Sequence, residues 1–480
     1  MTAQPWRRVL VEPARPDRVR TAARAHWWAV ATVCVGAFMG QLDASIVTVA
    51  LPSMQRELGA GVGELEWVSL SYLVVLIGLV AAAGRLSDVL GRKLLYTYGF
   101  VVFTLASLGC GLASSLGVLI AMRVVQAVGA AMLQANSVAL IRTSVSARSL
   151  PRAVGVQGAA QALGLALGPA VGGLLVDVAG WRWVFLVNLP AGVLGVVAAV
   201  LLLPRTRARA ARHRFDVAGL ALLLPTTTAL LLACSALARG ASATEVAVLG
   251  GLGLAGLAAF VAVERRQDAP LVHLELFAER AFRSGLASAA LGYLVLFGVL
   301  FVTPLFLEAT WRMSAGRAGL LLMVLPAALA LAAPVSARLT RRAGATAVTT
   351  GGLVLSAAGL LALVPAAHHR YAVAGLLALV GLGMGLFTPA NNASVAASGR
   401  PEQAGLVSGL LNMTRGLGTA LGVAVAAAAW ALAAGHGSAE TAAASSHGFR
   451  VTVLALGVLA LVGAAVALGR GPLQPAGRRG

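Results

Sequence analysis

The chain has 480 residues, of which 59% are hydrophobic and only 11% charged. A soluble globular chain carries about 25% charged residues, so this composition excludes a soluble domain and describes an integral membrane protein. The net charge of +20 does not point to nucleic acid, because the Lys and Arg residues gather in short segments between apolar runs, as they do in cytoplasmic loops of membrane proteins.

Residues 1–26 are rich in Arg and Pro and read as a cytosolic tail, not a cleaved signal peptide, because a long span containing Asp43 follows. Fourteen apolar runs come next, at about 27–52, 66–84, 94–113, 117–141, 152–177, 182–203, 216–237, 245–263, 284–307, 317–337, 345–365, 371–397, 403–430 and 450–469. A bilayer crossing needs about 20 apolar residues. With the N-terminus inside, 28 Lys and Arg fall in inner segments and 7 in outer loops. That bias predicts a multi-pass protein of the plasma membrane with both termini cytoplasmic.

The first span carries Asp43 within Leu42-Asp43-Ala44-Ser45-Ile46-Val47-Thr48-Val49-Ala50-Leu51-Pro52. Asp43 lies about 14 Å from the outer end at 1.5 Å per residue. A carboxylate at that depth is costly and usually functional. Burial disfavours its charge and a nearby cation favours it, so such a group can exchange a proton. The turn after the second span reads Gly84-Arg85-Leu86-Ser87-Asp88-Val89-Leu90-Gly91-Arg92-Lys93. Its glycines permit a tight turn, and Asp88 suits a helix N-terminus. The fourth span carries Arg123 in Arg123-Val124-Val125-Gln126-Ala127-Val128-Gly129-Ala130, about 9 Å from the outer end. Asp43 and Arg123 are thus expected to pair. The fifth span, Gly164-Leu165-Ala166-Leu167-Gly168-Pro169-Ala170-Val171-Gly172-Gly173, has small residues four apart that let helices touch, and a proline that bends. The tryptophans of Trp181-Arg182-Trp183 are expected at the outer interface.

Three weak internal matches recur near one offset. Gly84-Arg85-Leu86-Ser87 echoes Ala337-Arg338-Leu339-Thr340 at 253 residues, Gly129–Asn136 echoes Gly383–Asn391 near 254, and Gln157-Gly158 with Gln161 echoes Ser408-Gly409 with Asn412 at 251. This predicts two six-span bundles with two inserted spans: a tail (1–26), a first bundle (27–203), a linker with two spans (204–279), a second bundle (280–470) and a tail (471–480). Repeats of this kind place a substrate site at their interface. The polar candidates there are Gln161, Glu308, Asn391, Asn412 and Arg415, with Tyr293 and Phe301 as aromatic contacts. Cys34, Cys110 and Cys234 lie in apolar runs and imply no disulfide framework. No metal-ligand spacing and no nucleophile–base constellation stands in the spans, so an enzyme is not expected.

The loop at Gly84, Asp88, Gly91, Arg92 and Lys93 resembles the loop signature of the major facilitator superfamily, with Val89 where a base is usual. The first-span, Arg123-x-x-Gln126 and Gly164/Gly168-Pro169/Gly172-Gly173 motifs resemble those of its fourteen-span drug:proton antiporters, with Ser45, Thr48 and Ala127 as departures. The resemblance implies an all-α major facilitator fold and export of small, largely hydrophobic drugs or antibiotics by alternating access. It implies proton coupling through Asp43 and Arg123, gating at the loop, and no cofactor beyond the proton gradient. The expected partners are a small molecule, protons and lipid, not nucleic acid, and the expected unit is a monomer. Export of an endogenous metabolite and proton-coupled import are the alternatives; the Gly168-Pro169 motif argues against import.

Overall fold

The computed structural model describes residues 12, 14–22, 24–146, 149–206, 217–238, 240–267, 274–398, 404–434 and 442–469. Its long elements are fourteen helices: α1 Ala25–Leu58, α2 Trp67–Leu90, α3 Arg92–Gly111, α4 Leu116–Ser144, α5 Leu150–Ala179, α6 Asn188–Leu202, α7 Val217–Ala238, α8 Ala243–Glu264, α9 Arg280–Trp311, α10 Ala315–Ala343, α11 Ala345–Ala366, α12 Arg370–Ser398, α13 Ala404–Ala434 and α14 Ala442–Leu468. No strand occurs among the described residues. Inside a bilayer every backbone amide must be satisfied within its own segment, and the helix does this. Thirteen helices are long and apolar enough to cross a membrane; the fourteenth, α7, offers the shorter apolar stretch Ala221–Leu237. Polar caps mark several ends. Ser115 and Ser242 accept from the amides of Val118 and Glu245, and Gly59 closes α1 at φ +64°.

The chain divides into two compact units. The first comprises residues 1–61, 67–224 and 315–319, and the second 62–66, 225–314 and 320–480. In the first unit α1 lies along α5, and α3 along α4. A methyl group added at Gly164 or Gly168 would overlap the Phe38 carbonyl or the Ser45 hydroxyl, and one at Gly172 would stand 2.6 Å from Ile46. The glycines of the fifth span therefore let the α1 backbone approach α5 directly. At the α3–α4 crossing Gly129 meets the backbone of Phe103 and Gly99.

The second unit repeats this geometry. Gly418 and Gly422 of α13 meet Ala290 and Leu294 of α9, and Gly383 of α12 meets Gly352 of α11. Gly164 and Gly168 thus correspond to Gly418 and Gly422, and Gly129 to Gly383, each 254 residues apart. The register of the fifth-span repeat is therefore 254 and not 251, because the glycine crossings fix it, and Arg415 falls opposite Gln161. The α7 and α8 helices meet in the second unit where Gly253 and Gly256 face Leu230 and Thr226. Only 11% of the apolar window of α8 is buried, which leaves it a peripheral helix.

Gly168→Ala would force α1 and α5 apart at a cost of about 1–3 kcal/mol. Gly155→Ala, with nothing within 4 Å of the added methyl, would be neutral or stabilising by about 0.5–1 kcal/mol. Thermal unfolding of the two purified variants in detergent should move in these opposite directions.

Candidate functional site

Five helices of the first unit converge on Asp43. Arg123 and Gln126 are three residues apart on α4 and so share one face. Arg123 Nη1 donates to Asp43 Oδ2 at 2.7 Å and to Gln126 Oε1 at 2.6 Å, while its Nε donates to the Val68 carbonyl at 2.8 Å. Gln126 Nε2 donates to Asp43 Oδ1 at 2.9 Å and to Ser107 Oγ at 2.8 Å. Asn188, the first residue of α6, donates from Nδ2 to Asp43 Oδ1 at 3.1 Å. The guanidinium also lies 4.3 Å from the centre of the Tyr72 ring, an attractive placement for a cation. Asp43, Gln126 and Asn188 have no exposed surface, and Arg123 has 1%.

The expected Asp43–Arg123 pair is therefore formed. Its surroundings divide the two charges unequally. Arg123 would keep an amide oxygen, a backbone carbonyl and a ring face if Asp43 became neutral. Asp43 accepts three hydrogen bonds and can donate none while ionised. The carboxamide oxygen of Asn188 is buried with no hydrogen-bond partner. An unmet buried acceptor is costly, and this one belongs to an amide already bonded to Asp43. Gln126 lies within a motif visible in the sequence. Asn188 stands in the Asn188-Leu189-Pro190 run that also resembles the family, but its contact with Asp43 spans 145 residues and the Val68 contact is main chain, so neither contact has a spacing signal in the sequence.

The turn between α2 and α3 packs against Glu12 and the end of α6. Gly91 adopts φ +108°, a conformation that side chains rarely take. A methyl there would collide with the carboxylate of Glu12. Glu12 is 2% exposed and accepts from the Thr206 amide at 2.7 Å and the Thr206 hydroxyl at 2.8 Å. Arg205 donates to its carbonyl at 2.9 Å. Lys93, the sole lysine in the sequence, is wholly buried and donates from Nζ to the Val200 carbonyl at 2.7 Å near the end of α6. It is an interior helix-end contact and not a solvated loop cation, because the free carbonyls of a helix C-terminus attract a cation. Gly84 sits on α2, with Ala135 of α4 the nearest neighbour of an added methyl, and Arg92 is half-buried. The side chain of Asp88 lies outside the described residues.

Trp181 is packed within the protein. It is 2% exposed, and its indole donates to Glu57 at 2.7 Å. Arg182 also bonds Glu57 and reaches the Ala113 carbonyl at 3.2 Å, so the polar ends of α1, α3 and the turn before α6 close on one carboxylate. Trp183 is 48% exposed.

The second-unit candidates fall into two groups. Asn391 is buried and donates to the Gly285 carbonyl at 3.1 Å, tying α12 to α9, and Phe301 is 1% exposed. Both are packed in the bundle interior. Tyr293, Asn412 and Arg415 are half-buried and adjoin: Arg415 Nη1 donates to Asn412 Oδ1 at 3.3 Å, and the guanidinium lies 5.4 Å from the Tyr293 ring centre. Glu308 is half-buried near the end of α9, and Gln161 is half-buried on α5 in the first unit. Among the described residues no group of three or more His, Cys, Asp or Glu side chains could hold a metal ion.

A bundle of apolar helices with a buried carboxylate–guanidinium network and a duplicated helix-crossing pattern defines a membrane transporter. The family model of the Major Facilitator Superfamily matches residues 33–423, and again 285–480. The chain belongs to this superfamily, whose members are transporters and not enzymes. It is 34% identical over 395 residues to the multidrug resistance protein Stp of Mycobacterium tuberculosis, covering 82% of this chain and 73% of that protein. It is 30% identical over 407 residues to the riboflavin transporter RibZ of Clostridioides difficile, covering 84% and 87%. Its fold is similar to that of a crystallised bacterial homologue of the human lysosomal transporter Spinster, with a TM-score of 0.67, 16% identity, and coverage of 93% and 97%.

Removing one member of a buried ion pair strands the other and costs about 3–5 kcal/mol. Arg123→Leu should therefore destabilise the detergent-purified protein by that amount, and Asp43→Asn by less. Adding Asp43→Asn to Arg123→Leu should recover stability, which a double-mutant cycle of unfolding free energies would measure.

Proposed function

We propose that this transporter is a proton-coupled antiporter of the plasma membrane. It exports small, largely hydrophobic compounds by alternating access, with both termini in the cytoplasm. The observation that carries this reading is the sealed network around Asp43. Asp43 is a carboxylate inside an apolar bundle, and its cation stays hydrogen-bonded whether or not the carboxylate is charged. Arg123 cannot release its proton in practice, so Asp43 is the group that gains and loses one.

When a proton binds Asp43, its new O–H needs an acceptor. Gln126 Oε1 already accepts from Arg123. Asn188 Oδ1 accepts from nothing in its present orientation. A turn of the Asn188 amide offers that oxygen as an acceptor to the protonated carboxyl, so the new O–H of Asp43 is satisfied without water. Deprotonation restores the Nδ2 donation and the full ion pair. The two proton states thus differ in which atom of the Asn188 amide faces Asp43, Nδ2 when the carboxylate is charged and Oδ1 when it is protonated, as a two-state element requires. The loop at Gly84, Asp88, Gly91, Arg92 and Lys93 serves the conformational change from one end of the first unit. The glycines Gly164, Gly168 and Gly172 keep α1 close to α5 so that Asp43 holds its depth, while Gly173 and the Pro169 carbonyl meet Ala315 and Gly319 at the start of α10. Similarity to Stp supports drug export. Similarity to RibZ supports a second reading, carriage of a metabolite, which differs in cargo and not in this coupling site.

In proteoliposomes, Asp43→Asn should abolish accumulation driven by a proton gradient yet retain exchange of labelled for unlabelled substrate. Asn188→Leu should lower gradient-driven transport about tenfold or more, equivalent to about 1.4 kcal/mol or more, and also retain exchange. Gradient-driven transport by Asp43→Asn at the wild-type rate would move the coupling site elsewhere.

A further inference from the structure

Two arginines stand inside the spans, and the structure treats them oppositely. Arg123 is saturated by a carboxylate, an amide oxygen, a main-chain carbonyl and an aromatic face. Among the described residues Arg415 has no carboxylate partner, and its hydrogen bond there runs from Nη1 to Asn412, three residues back on its own helix, at 3.3 Å. Its Nε is buried with no acceptor. Nothing in these contacts ties α13 to another helix except the Tyr293 ring, 5.4 Å away, so a purely structural role leaves most of the guanidinium unused.

The depth of Arg415 sharpens the point. It lies eleven residues into the 31-residue α13, or about 16 Å along the axis. An arginine at mid-depth faces a bundle interior or a watered path, not lipid, and it cannot become neutral. With Nη1 engaged by Asn412, the side of the fork formed by Nε and Nη2 is the one left to bind. Two parallel N–H groups on that edge fit the two oxygens of a carboxylate. The Tyr293 ring, whose centre lies 5.4 Å from the guanidinium carbon, is stacked on Phe297, with centroids 6.4 Å apart and planes 16° from parallel. Together the two features form an anion fork beside an aromatic platform.

We infer that Arg415, Asn412 and Tyr293 form a receptor for a planar aromatic acid, and that the cargo of this transporter carries a carboxylate. The inference rests on the export reading for the direction of movement, but the receptor itself does not. Asn412 holds the fork in orientation and Tyr293 stacks on the ring system. Arg415 supplies the charge that discriminates an acid from its neutral isostere. It occupies the position in the second unit that Gln161 holds in the first, so the duplicated scaffold carries a charge at only one of its two equivalent places. A cargo of this class would leave the cell as an anion, and an inside-negative membrane potential would assist its exit.

The test uses the full-length purified protein and a panel of planar aromatic ring systems, naphthalene, anthraquinone and acridone, each carrying a carboxylate, a carboxamide or a trimethylammonium group at the same position. Binding is read by isothermal calorimetry. In the wild type the carboxylates should bind at least tenfold tighter than the matched carboxamides, and the ammonium compounds weakest. Arg415→Gln should erase the preference for acid over amide, and Arg415→Lys should restore part of it. Wild-type binding of amides or cations as tightly as acids would overturn the inference, as would binding of no carboxylate in the panel or an unchanged preference in Arg415→Gln. Proteoliposome transport of the same compounds separates the two readings. Arg415-dependent binding of acids without gradient-driven movement would sink the export reading and leave the receptor standing. Gradient-driven movement of cations alone, independent of Arg415, would do the reverse.

Discussion

The energetic cost of charge in an apolar medium governs the first unit. A single charged side chain at the centre of a membrane helix costs about 2.5–3.5 kcal/mol even on the most lenient scale. Asp43 and Arg123 meet this cost together, and the surrounding chain is arranged so that they can. The α4 helix must present Arg123 and Gln126 on one face. The α6 helix must begin at Asn188, and α2 must bring Val68 and Tyr72 within reach. The glycines of α5 then hold α1 so close that Asp43 has no room to slide along the bundle. Loosening any of these contacts would leave a charge in hydrocarbon without its partners.

Duplication supplied the frame but not the chemistry. The helix crossings recur 254 residues apart, yet the residues of α12 equivalent to Arg123 and Gln126 are Leu377 and Val380, both wholly buried. Close packing of backbones depends only on small residues at the crossing, so it survives wide divergence. A buried hydrogen-bond network depends on every member, so losing one favours losing all. The two halves have accordingly become unlike in function. One holds a buried carboxylate–guanidinium network, and the other a half-buried guanidinium whose Nε has no acceptor.

Much of this was legible before any coordinates. Composition and the apolar runs define the membrane class, and helical rise alone puts Asp43 and Arg123 at similar depth. What the sequence does not carry is rotation about each helix axis and the partners supplied by main chain. The contact of Asn188 with Asp43 spans 145 residues, a separation that no local pattern reports. The Val68 carbonyl has no side-chain signature at all. Trp181 reads as an interfacial residue by type, yet a carboxylate on α1 draws its indole inward. The fifth-span match reads at 251 by polar identity, three short of the 254 that the glycine crossings fix, because polar identities drift and the crossings are evident only in contact. Lys93 reads as one more basic loop residue, and only the end of α6 and the Glu12 carboxylate explain its burial.

That lysine has a practical consequence. Every other fixed cation in the side chains of this protein is a guanidinium, which amine-directed reagents do not modify. Apart from the N-terminus, the chain therefore offers acylating chemistry a single address, buried against the Val200 carbonyl. A reagent would reach it only when its surroundings opened, so the rate of acylation would serve as a clock for local opening around Lys93. The molecule thus carries its own one-site probe, with no cysteine to introduce and none to remove.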